Sequence, residues 1–316
     1  MCHGWIMRSS LGLAPAVAFI ALLAAGCGDD SGDDPGSDAG GDAEAAAIPM
    51  RVVTWNVENL FDTEDDPDTF DPLPPPSDAD VVRKLNDLEA VLRPLNADFV
   101  ALQEVENETI LARLAGQMSD LGYDNYGLVD AFDGRGIDVA YMTRLPLSSS
   151  PMVTSHLGER FPLPDGSDEI FYTRDALEVF VDVGEAKVGV IIVHFRSMRD
   201  GGGDIREAEA AYTAQIAEAR IDSGLSNILV VGDLNDIPDS PPLRAILAGS
   251  LVDLTLAVPE DDRWTFTFDR IRRQFDYILA SPQMAASTSD VIILHGGDVD
   301  TASDHQPVAA DFLVSP

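Results

Sequence analysis

Cysteine is almost missing. The 316 residues hold two, Cys2 and Cys27, and both lie in the first 27 positions, so no disulfide framework holds the body of the chain. Positive charge is also scarce: 20 Lys plus Arg stand against 55 Asp plus Glu, a formal net charge of -35. Seven of the acids (Asp29, Asp30, Asp33, Asp34, Asp38, Asp42 and Glu44) and one base, Arg8, precede residue 48. The remainder therefore has 48 acids against 19 bases, a net charge of -29. Such a body repels polyanions, which argues against tight contact along a nucleic-acid duplex, and it aids solubility. No repeat of fixed period is visible. There is no apolar run of spanning length, and no long apolar hairpin of the kind that dips into a bilayer. What is present is a 45% hydrophobic composition, enough for the core of a globular protein.

The N-terminus reads as a targeting segment. Arg8 precedes an apolar stretch from Leu11 to Leu23, which ends in the small residues Ala24, Ala25 and Gly26 before Cys27. Leu23-Ala24-Ala25-Gly26-Cys27 resembles a bacterial lipobox, in which the cysteine thiol takes a diacylglycerol and becomes the mature N-terminus. Met7-Arg8 opens this segment more naturally than the six residues before it, and Cys2 leaves with it in either case. One cysteine then remains, so no intramolecular disulfide is expected. Residues 28–47 are Gly, Asp and Ala with almost no apolar bulk, a composition that does not fold and suits a flexible acidic tether. The expected organisation is a lipoprotein signal over 1–27, the tether over 28–47 and one catalytic domain over 48–316. The protein is then exported and lipid-anchored to the bacterial cell envelope or surface, and its charge favours a monomer.

Beyond residue 48, β-rich runs at 50–57, 98–102, 139–142, 176–183, 188–193, 228–231, 275–280 and 308–313 predict strands. Three- and four-residue apolar spacing predicts helices over 80–92, 108–121 and 205–221. The Asp- and Pro-rich stretch 63–77 predicts a loop. Strands mixed with helices without strict alternation point to an α/β sandwich.

Acids, amides and histidines recur where the apolar strands end, which is where loops on a rigid scaffold carry chemistry. Six clusters stand out: Thr54-Trp55-Asn56-Val57-Glu58-Asn59-Leu60, Leu102-Gln103-Glu104-Val105, Val193-His194-Phe195-Arg196-Ser197, Val231-Gly232-Asp233-Leu234-Asn235-Asp236, Phe275-Asp276-Tyr277-Ile278-Leu279 and Ser303-Asp304-His305-Gln306-Pro307-Val308. Singly, each has a structural explanation as a turn, a cap or a satisfied histidine. In this order, over nearly all of residues 50–313, they resemble the endonuclease/exonuclease/phosphatase superfamily. Gly232-Asp233-Leu234-Asn235-Asp236 and Ser303-Asp304-His305 are the strongest matches.

The resemblance implies a DNase I-like, four-layer α/β sandwich of two mainly antiparallel sheets flanked by helices. It also implies a divalent-metal-dependent phosphoester hydrolase. Phosphodiesters repel anionic nucleophiles, so a catalyst must neutralise charge, activate water and help the leaving oxygen depart. By the resemblance, Glu104, Asn56 and Asp304 are the metal site, whose hard oxygens suit Mg²⁺ or Mn²⁺, with Ca²⁺ of the same chemistry. Asp233 orients or deprotonates the attacking water, and Asn235 offers an amide to a phosphate oxygen. Lying two residues apart, these two would share a face of an extended segment. His194 and His305 contact the scissile phosphate and assist proton transfer, with Asp276 orienting His305. Arg174 matches a phosphate-contacting arginine, against the alternative of a surface ion pair with Asp175 or Glu178. Asp138, in Gly136-Ile137-Asp138-Val139, falls where relatives support the histidine or substrate, against the alternative of a strand-entry turn. Arg196 and Arg199 are either phosphate contacts or solvated loop charges. His156 and His295 match no motif and are expected to be structural or surface groups.

Three readings of the substrate follow. An extracellular nuclease or phosphodiesterase is favoured, with phosphoesters, nucleic acid among them, contacted through Arg174, Arg196, Arg199 and the segment 270–273. A sphingomyelinase-like phospholipase or an inositol-polyphosphate-type phosphatase is the alternative that a membrane anchor makes attractive. A non-catalytic surface-binding lipoprotein is opposed by the joint retention of Asn56, Glu104, His194, Asp233, Asn235, Asp276, Asp304 and His305.

Overall fold

In an extended chain successive side chains point to opposite faces, so along 50–56 Met50, Val52, Thr54 and Asn56 share one face while Val53 and Trp55 share the other. This alternation sets the architecture of the computed structural model, which describes residues 46–65 and 74–315. The signal segment with Cys27, and all but the last two residues of the tether, lie outside the described residues.

The strands in chain order are β1 (Ile48–Leu60), β2 (Phe99–Val105), β3 (Asn125–Leu128), β4 (Asp138–Thr143), β5 (Val153–Ser155), β6 (Phe161–Pro162), β7 (Glu169–Ile170), β8 (Leu177–Val183), β9 (Ala186–His194), β10 (Ile228–Asp233), β11 (Val252–Asp253), β12 (Phe266–Phe268), β13 (Ile271–Arg273), β14 (Asp276–Ala280), β15 (Thr288–Ile293) and β16 (Val308–Val314). Twelve of them form two six-stranded sheets, ordered β15-β16-β1-β2-β4-β3 and β11-β14-β10-β9-β8-β5. β12-β13 and β6-β7 are separate two-stranded ribbons. Each large sheet has one parallel pair at its centre, β1 with β2 and β10 with β9. All other pairs in both sheets are antiparallel.

Parallel neighbours need a crossover, here made by helices. α1 (Asp78–Leu95) joins β1 to β2, and α3 (Gly203–Asp222) joins β9 to β10. α1 starts at Ser77, which forms a reciprocal capping box with Asp80, and ends at Asn96 in a left-handed conformation. Leu85, Leu88 and Leu92 of α1, with Ile110 and Leu114 of α2 (Glu108–Gln117), pack on Val53, Trp55, Val100 and Leu102 of the first sheet. α3 covers Ile191, Val193, Val230 and Leu279 of the second. Between the sheets, Met50, Val52, Phe99 and Ala101 meet Val190, Ile192, Leu229 and Val231. Full burial of each such side chain stabilises by roughly 1.5–3 kcal/mol. The result is helix, sheet, sheet, helix, the four-layer sandwich expected from the sequence.

The helix expected over 108–121 divides into α2 and a 3-10 turn at Ser119–Leu121. The edge strands β3, β5, β11 and β15 of the two large sheets, and the two ribbons, are not predicted by the sequence pattern. Three of the four edge strands are very short and all four carry polar residues, because at a sheet edge much of the surface faces water. No helix among the described residues is long and apolar enough to cross a membrane.

His156 is structural. Its Nδ1 lies 2.8 Å from Glu159 and its Nε2 2.7 Å from buried Glu178, which Arg220 also contacts at 2.6 Å. Carboxylates only accept, so the ring must be protonated to donate to both. Burial alone would lower the His156 pKa, but the hydrogen bonds to Glu178 and Glu159 outweigh it and the value is raised above 6.5. A raised folded-state pKa gives stability that is complete below 6.5 and fades as pH rises through the folded value. Burial likewise opposes ionisation of Glu178, but Arg220 and His156 outweigh it and hold its pKa below 4.5, so that contribution is lost only as pH falls through the depressed value. His156→Gln should therefore lose more stability relative to the native chain at pH 6 than at pH 9 in urea melts; an equal loss at both would contradict the charged network.

Candidate active site

The apolar layer between the sheets stops at one level. Continuing along the same strand faces, Val52 is followed by Thr54 and Asn56, Ala101 by Gln103, Ile192 by His194, Val231 by Asp233, and Ile278 is preceded by Asp276. Thr54 and Gln103, both buried, hydrogen-bond each other at 3.1 Å and close the layer. The polar side chains beyond them open into a cleft of about 620 Å³ lined by Glu58, Glu104, His194, Asp233, Asn235, Asp304 and His305, among others.

Local backbone strain turns several of these groups inward. Glu104 breaks the alternation of β2 through a register shift between Gln103 and Val105, with φ of 65°. Glu58, Asn59 and Asn235 are also left-handed, at φ 51°, 56° and 50°. Each such residue costs roughly 1–2 kcal/mol, and such strain gathers at functional sites. Asn235 therefore shares a side with Asp233 through a tight turn, not the extended segment expected. Its backbone N–H donates to Asp233 Oδ1 at 2.8 Å, and its amide donates to Phe195 O at 3.1 Å.

Gly232 sets Asp233 beside His194. It has φ 141°, and a Cβ there would lie 1.9 Å from Val193 O on the paired strand. The next pair in register is Asp233 with His194.

The two histidines have opposite electrostatics. His305 Nδ1 lies 2.7 Å from Asp276 Oδ2, and its Nε2 is 3.8 Å from Asp233 Oδ2. Burial alone would lower its pKa, but the Asp276 and Asp233 carboxylates raise it to about 10, so the ring is cationic at neutral pH. Its backbone is fixed by Trp55 Nε1 donating to His305 O at 2.9 Å and by Ser303 Oγ accepting from His305 N at 3.0 Å. His194 Nε2 is 3.5 Å from Asp233 Oδ2 and 3.9 Å from Glu104 Oε1. Burial, then the charges of Arg174, Arg135 and His305, hold it well below 6.5, so it is neutral. Burial, and next the Asp276 charge, raise the Asp233 carboxyl above the usual carboxylate range.

Next to this group lies an oxygen-rich corner. Asn59 N donates to Glu104 Oε2 at 3.1 Å, and Asp304 N donates to Glu58 Oε2 at 3.0 Å. Burial and the Asp304 charge raise the Glu58 carboxyl; burial raises Asp304, with Glu104 adding to it against His305. Gathered anions of this kind fit a hard divalent cation, and Glu104, Glu58 and Asp304 would hold it. Among the described residues a different grouping, Asp233, Asp276 and His305, has its liganding atoms all within 4.8 Å of one another. There His305 Nδ1 is hydrogen-bonded to Asp276 Oδ2 and the ring carries a proton, so the chemistry is that of a histidine–carboxylate pair. Asn56, expected as a metal ligand, sits between Asp233 and the acids of this corner. Its oxygen accepts from Glu58 N at 3.0 Å, while its amide donates to Asp233 Oδ2 at 3.1 Å and Glu104 Oε1 at 3.4 Å. It bridges two carboxylates, and its oxygen keeps a second lone pair beyond the bond from Glu58 N.

Arg174 lines the cleft but pairs with neither Asp175 nor Glu178. It is buried, with Nε on Asp133 at 2.9 Å and a terminal nitrogen on Phe195 O at 2.9 Å. Arg196 is outside the main cleft, in an annex of about 310 Å³ that shares Arg135 and Arg174 with it. Asp138 lines neither cavity and bonds neither histidine. It accepts from Ala131 N at 3.0 Å, and burial raises its pKa to about 7. Three cleft groups escaped the sequence reading. Glu58 lay within a noticed motif, but its neighbours Asp304 and Glu104 are distant in sequence. Lys84, on α1, faces Glu58, Asp304 and Glu104, and burial pulls its ammonium below 10.5 against their charge. Arg135 stands 3.8 Å from Glu104. Neither of these two bases lies in a motif.

The two-sheet sandwich with this cleft at the carboxyl ends of its central strands is a phosphoesterase fold. The chain belongs to the endonuclease/exonuclease/phosphatase family, whose model matches residues 53–305. Solved structures of similar fold include an endonuclease/exonuclease/phosphatase from Beutenbergia cavernae DSM 12333, 21% identical with a TM-score of 0.58, covering 85% of this chain and 72% of that one. The human nocturnin catalytic domain with bound sulfate is 16% identical with a TM-score of 0.58, covering 84% and 94%. ANGEL2, a 2',3'-cyclic phosphatase in complex with adenosine-2',3'-vanadate, is 16% identical with a TM-score of 0.60, covering 85% and 96%. No curated protein matches the chain in sequence.

Gly232→Ala should separate β10 from β9 at the Asp233–His194 pair. The expected loss is at least ~3 kcal/mol in urea denaturation, and a variant of native stability would show that the close approach is not needed.

Proposed function

We propose that the protein is a divalent-metal-dependent phosphodiesterase, an exported nuclease in its simplest form, in which Asp233 activates water between two histidines of opposite charge state. The observation that carries this reading is the Asp233 carboxylate within 3.8 Å of both a cationic His305 and a neutral His194. Water held by Asp233 attacks phosphorus and gives its proton to that carboxylate. The bond from phosphorus to the leaving oxygen breaks, and the His305 Nε2 proton passes to that oxygen. Neutral His194 donates from Nε2 to a phosphoryl oxygen, and Asp276 holds His305 in the orientation that its delivery requires. A divalent cation at Glu104, Glu58 and Asp304 would offset the anionic phosphate oxygens. Oxyanions in two structures of similar fold, sulfate in nocturnin and the adenosine vanadate in ANGEL2, support a phosphoester substrate.

This reading includes export and lipid anchoring at Cys27 with residues 28–47 as tether, on the strength of the sequence from Leu11 to Cys27. A monomer is part of it. A phospholipase acting at the anchoring membrane is the second reading, favoured by exposed Phe268 and Ile271 at the tip of the β12-β13 ribbon.

Asp233→Ala and His305→Ala should each lower metal-dependent turnover of bis-p-nitrophenyl phosphate by at least ~10³-fold with a native circular dichroism spectrum. Native turnover in either would overturn the assignment. Glu104→Ala should raise the Mg²⁺ concentration for half-maximal activity by at least about 10-fold, and an unchanged metal titration would remove Glu104 from the ion site. Parallel assays with RNA, plasmid DNA and a sphingomyelin dispersion separate nuclease from phospholipase, since cleavage of the lipid alone would establish the second reading.

A further inference from the structure

Among the described residues two aromatic side chains are exposed, Phe132 at 59% and Phe268 at 55%. Every other phenylalanine, tyrosine and tryptophan there is buried or half-buried. Both exposed rings belong to the catalytic face, Phe268 lining the cleft and Phe132 the annex. Resting on the phosphodiesterase reading, we propose that the cleft is the middle of a track for single-stranded nucleic acid, with Phe132 and Phe268 as base-stacking platforms on either side of the scissile phosphate.

The strand order places the rings on opposite flanks. Asn56, Glu104, His194 and Asp233 come from the central strands β1, β2, β9 and β10. The ribbon bearing Phe268 leads into β14 and is bridged through Phe266 to His305, just before β16; β14 and β16 flank the centre on one side. Phe132 lies in the loop entering β4, and its N–H donates to Thr173 O at 2.9 Å in the segment entering β8. β4 and β8 flank the centre on the other side.

Each ring is supported and shares its cavity with arginines. Phe132 meets Phe171 edge to face at 5.7 Å and shares its annex with Arg135, Arg174 and Arg196. Phe268 has the Arg199 guanidinium 5.6 Å from its centroid, and the ribbon is seated by Phe266 packing on His305 at 4.8 Å. In a body of net charge -29, exposed rings that share their cavities with arginines on both sides of a phosphate site suit a flexible polyanion whose bases are free to stack. A duplex keeps its bases stacked on each other and presents mainly phosphates to the acidic surface. A bilayer could engage the ribbon tip but not a ring in a concave annex.

The test uses the full chain and a fluorescein-labelled oligothymidylate of about 8 nucleotides, within the ~4–16 that such grooves occupy. Binding is read by anisotropy in EDTA and cleavage in Mg²⁺. Phe132→Ala and Phe268→Ala should each weaken binding about 10-fold, equivalent to ~1.4 kcal/mol. Each should lower kcat/KM for the oligonucleotide by a similar factor relative to that for bis-p-nitrophenyl phosphate, and tryptophan at either position should restore both. Met152→Ala, an exposed residue outside both cavities, should bind as the native chain does. Native-like binding by either alanine variant would overturn the track. A native chain that hydrolyses bis-p-nitrophenyl phosphate but neither binds nor cuts the oligonucleotide would also overturn it, while leaving the phosphodiesterase reading standing. Loss of binding to sphingomyelin vesicles by Phe268→Ala, with oligonucleotide binding intact, would assign that ring to a lipid surface and equally overturn the proposal.

Discussion

The two sheets press together over an apolar layer that ends at one level on all the central strands, and the chemistry begins on the same faces where the apolar residues stop. Val52, Ala101, Ile192 and Val231 are followed on their own faces by Asn56, Gln103, His194 and Asp233. The rigid part of the molecule thus fixes the spacing of its reactive groups. Each sheet contributes through a central parallel pair joined by a helical crossover, so strand ends from distant parts of the chain meet at one rim. A shift of one residue in either sheet would turn these groups into the helix-covered layers, and that consequence makes the register of β9 with β10 so important.

Burial then governs the charge states. A carboxylate removed from water is costly unless matched, and the cleft matches its acids unevenly. Asp276 is paired with His305, and Asn56 bridges Asp233 and Glu104. Lys84 and Arg135 stand near the corner formed by Glu58, Glu104 and Asp304. Glu58 and Asp304 have raised pKa values, and the gathered acids make that corner receptive to a cation. Burial lowers the pKa of both histidines; at His305 the Asp276 and Asp233 carboxylates outweigh it, whereas at His194 the charges of Arg174, Arg135 and His305 add to it.

Much of the fold was legible because period-two apolar runs survive wherever a strand is buried on one or both faces. The main helices were legible through their apolar spacing. Edge strands such as β3 and β15 escaped, because their polar residues face water. At the site, Asp233, His194, His305, Asp276, Glu104, Asp304 and Asn235 were all placed together at the cleft, each marked in sequence by its position at a strand end. Orientation was not legible. Nothing in the sequence shows that Asn56 accepts from Glu58 N, that Asp138 accepts from Ala131 N, or that Arg196 belongs to the annex. Lys84, Phe132 and Phe268 carry no motif at all and acquire meaning only from what the sheet order brings beside them.

The central claim is that this cleft hydrolyses phosphodiesters with a divalent cation. The most direct measurement is the turnover of bis-p-nitrophenyl phosphate by the purified full chain in Mg²⁺ or Mn²⁺, before and after EDTA and after the metal is restored. The account predicts turnover that EDTA abolishes and added metal recovers. Turnover indifferent to EDTA, or none with any divalent metal, would contradict it.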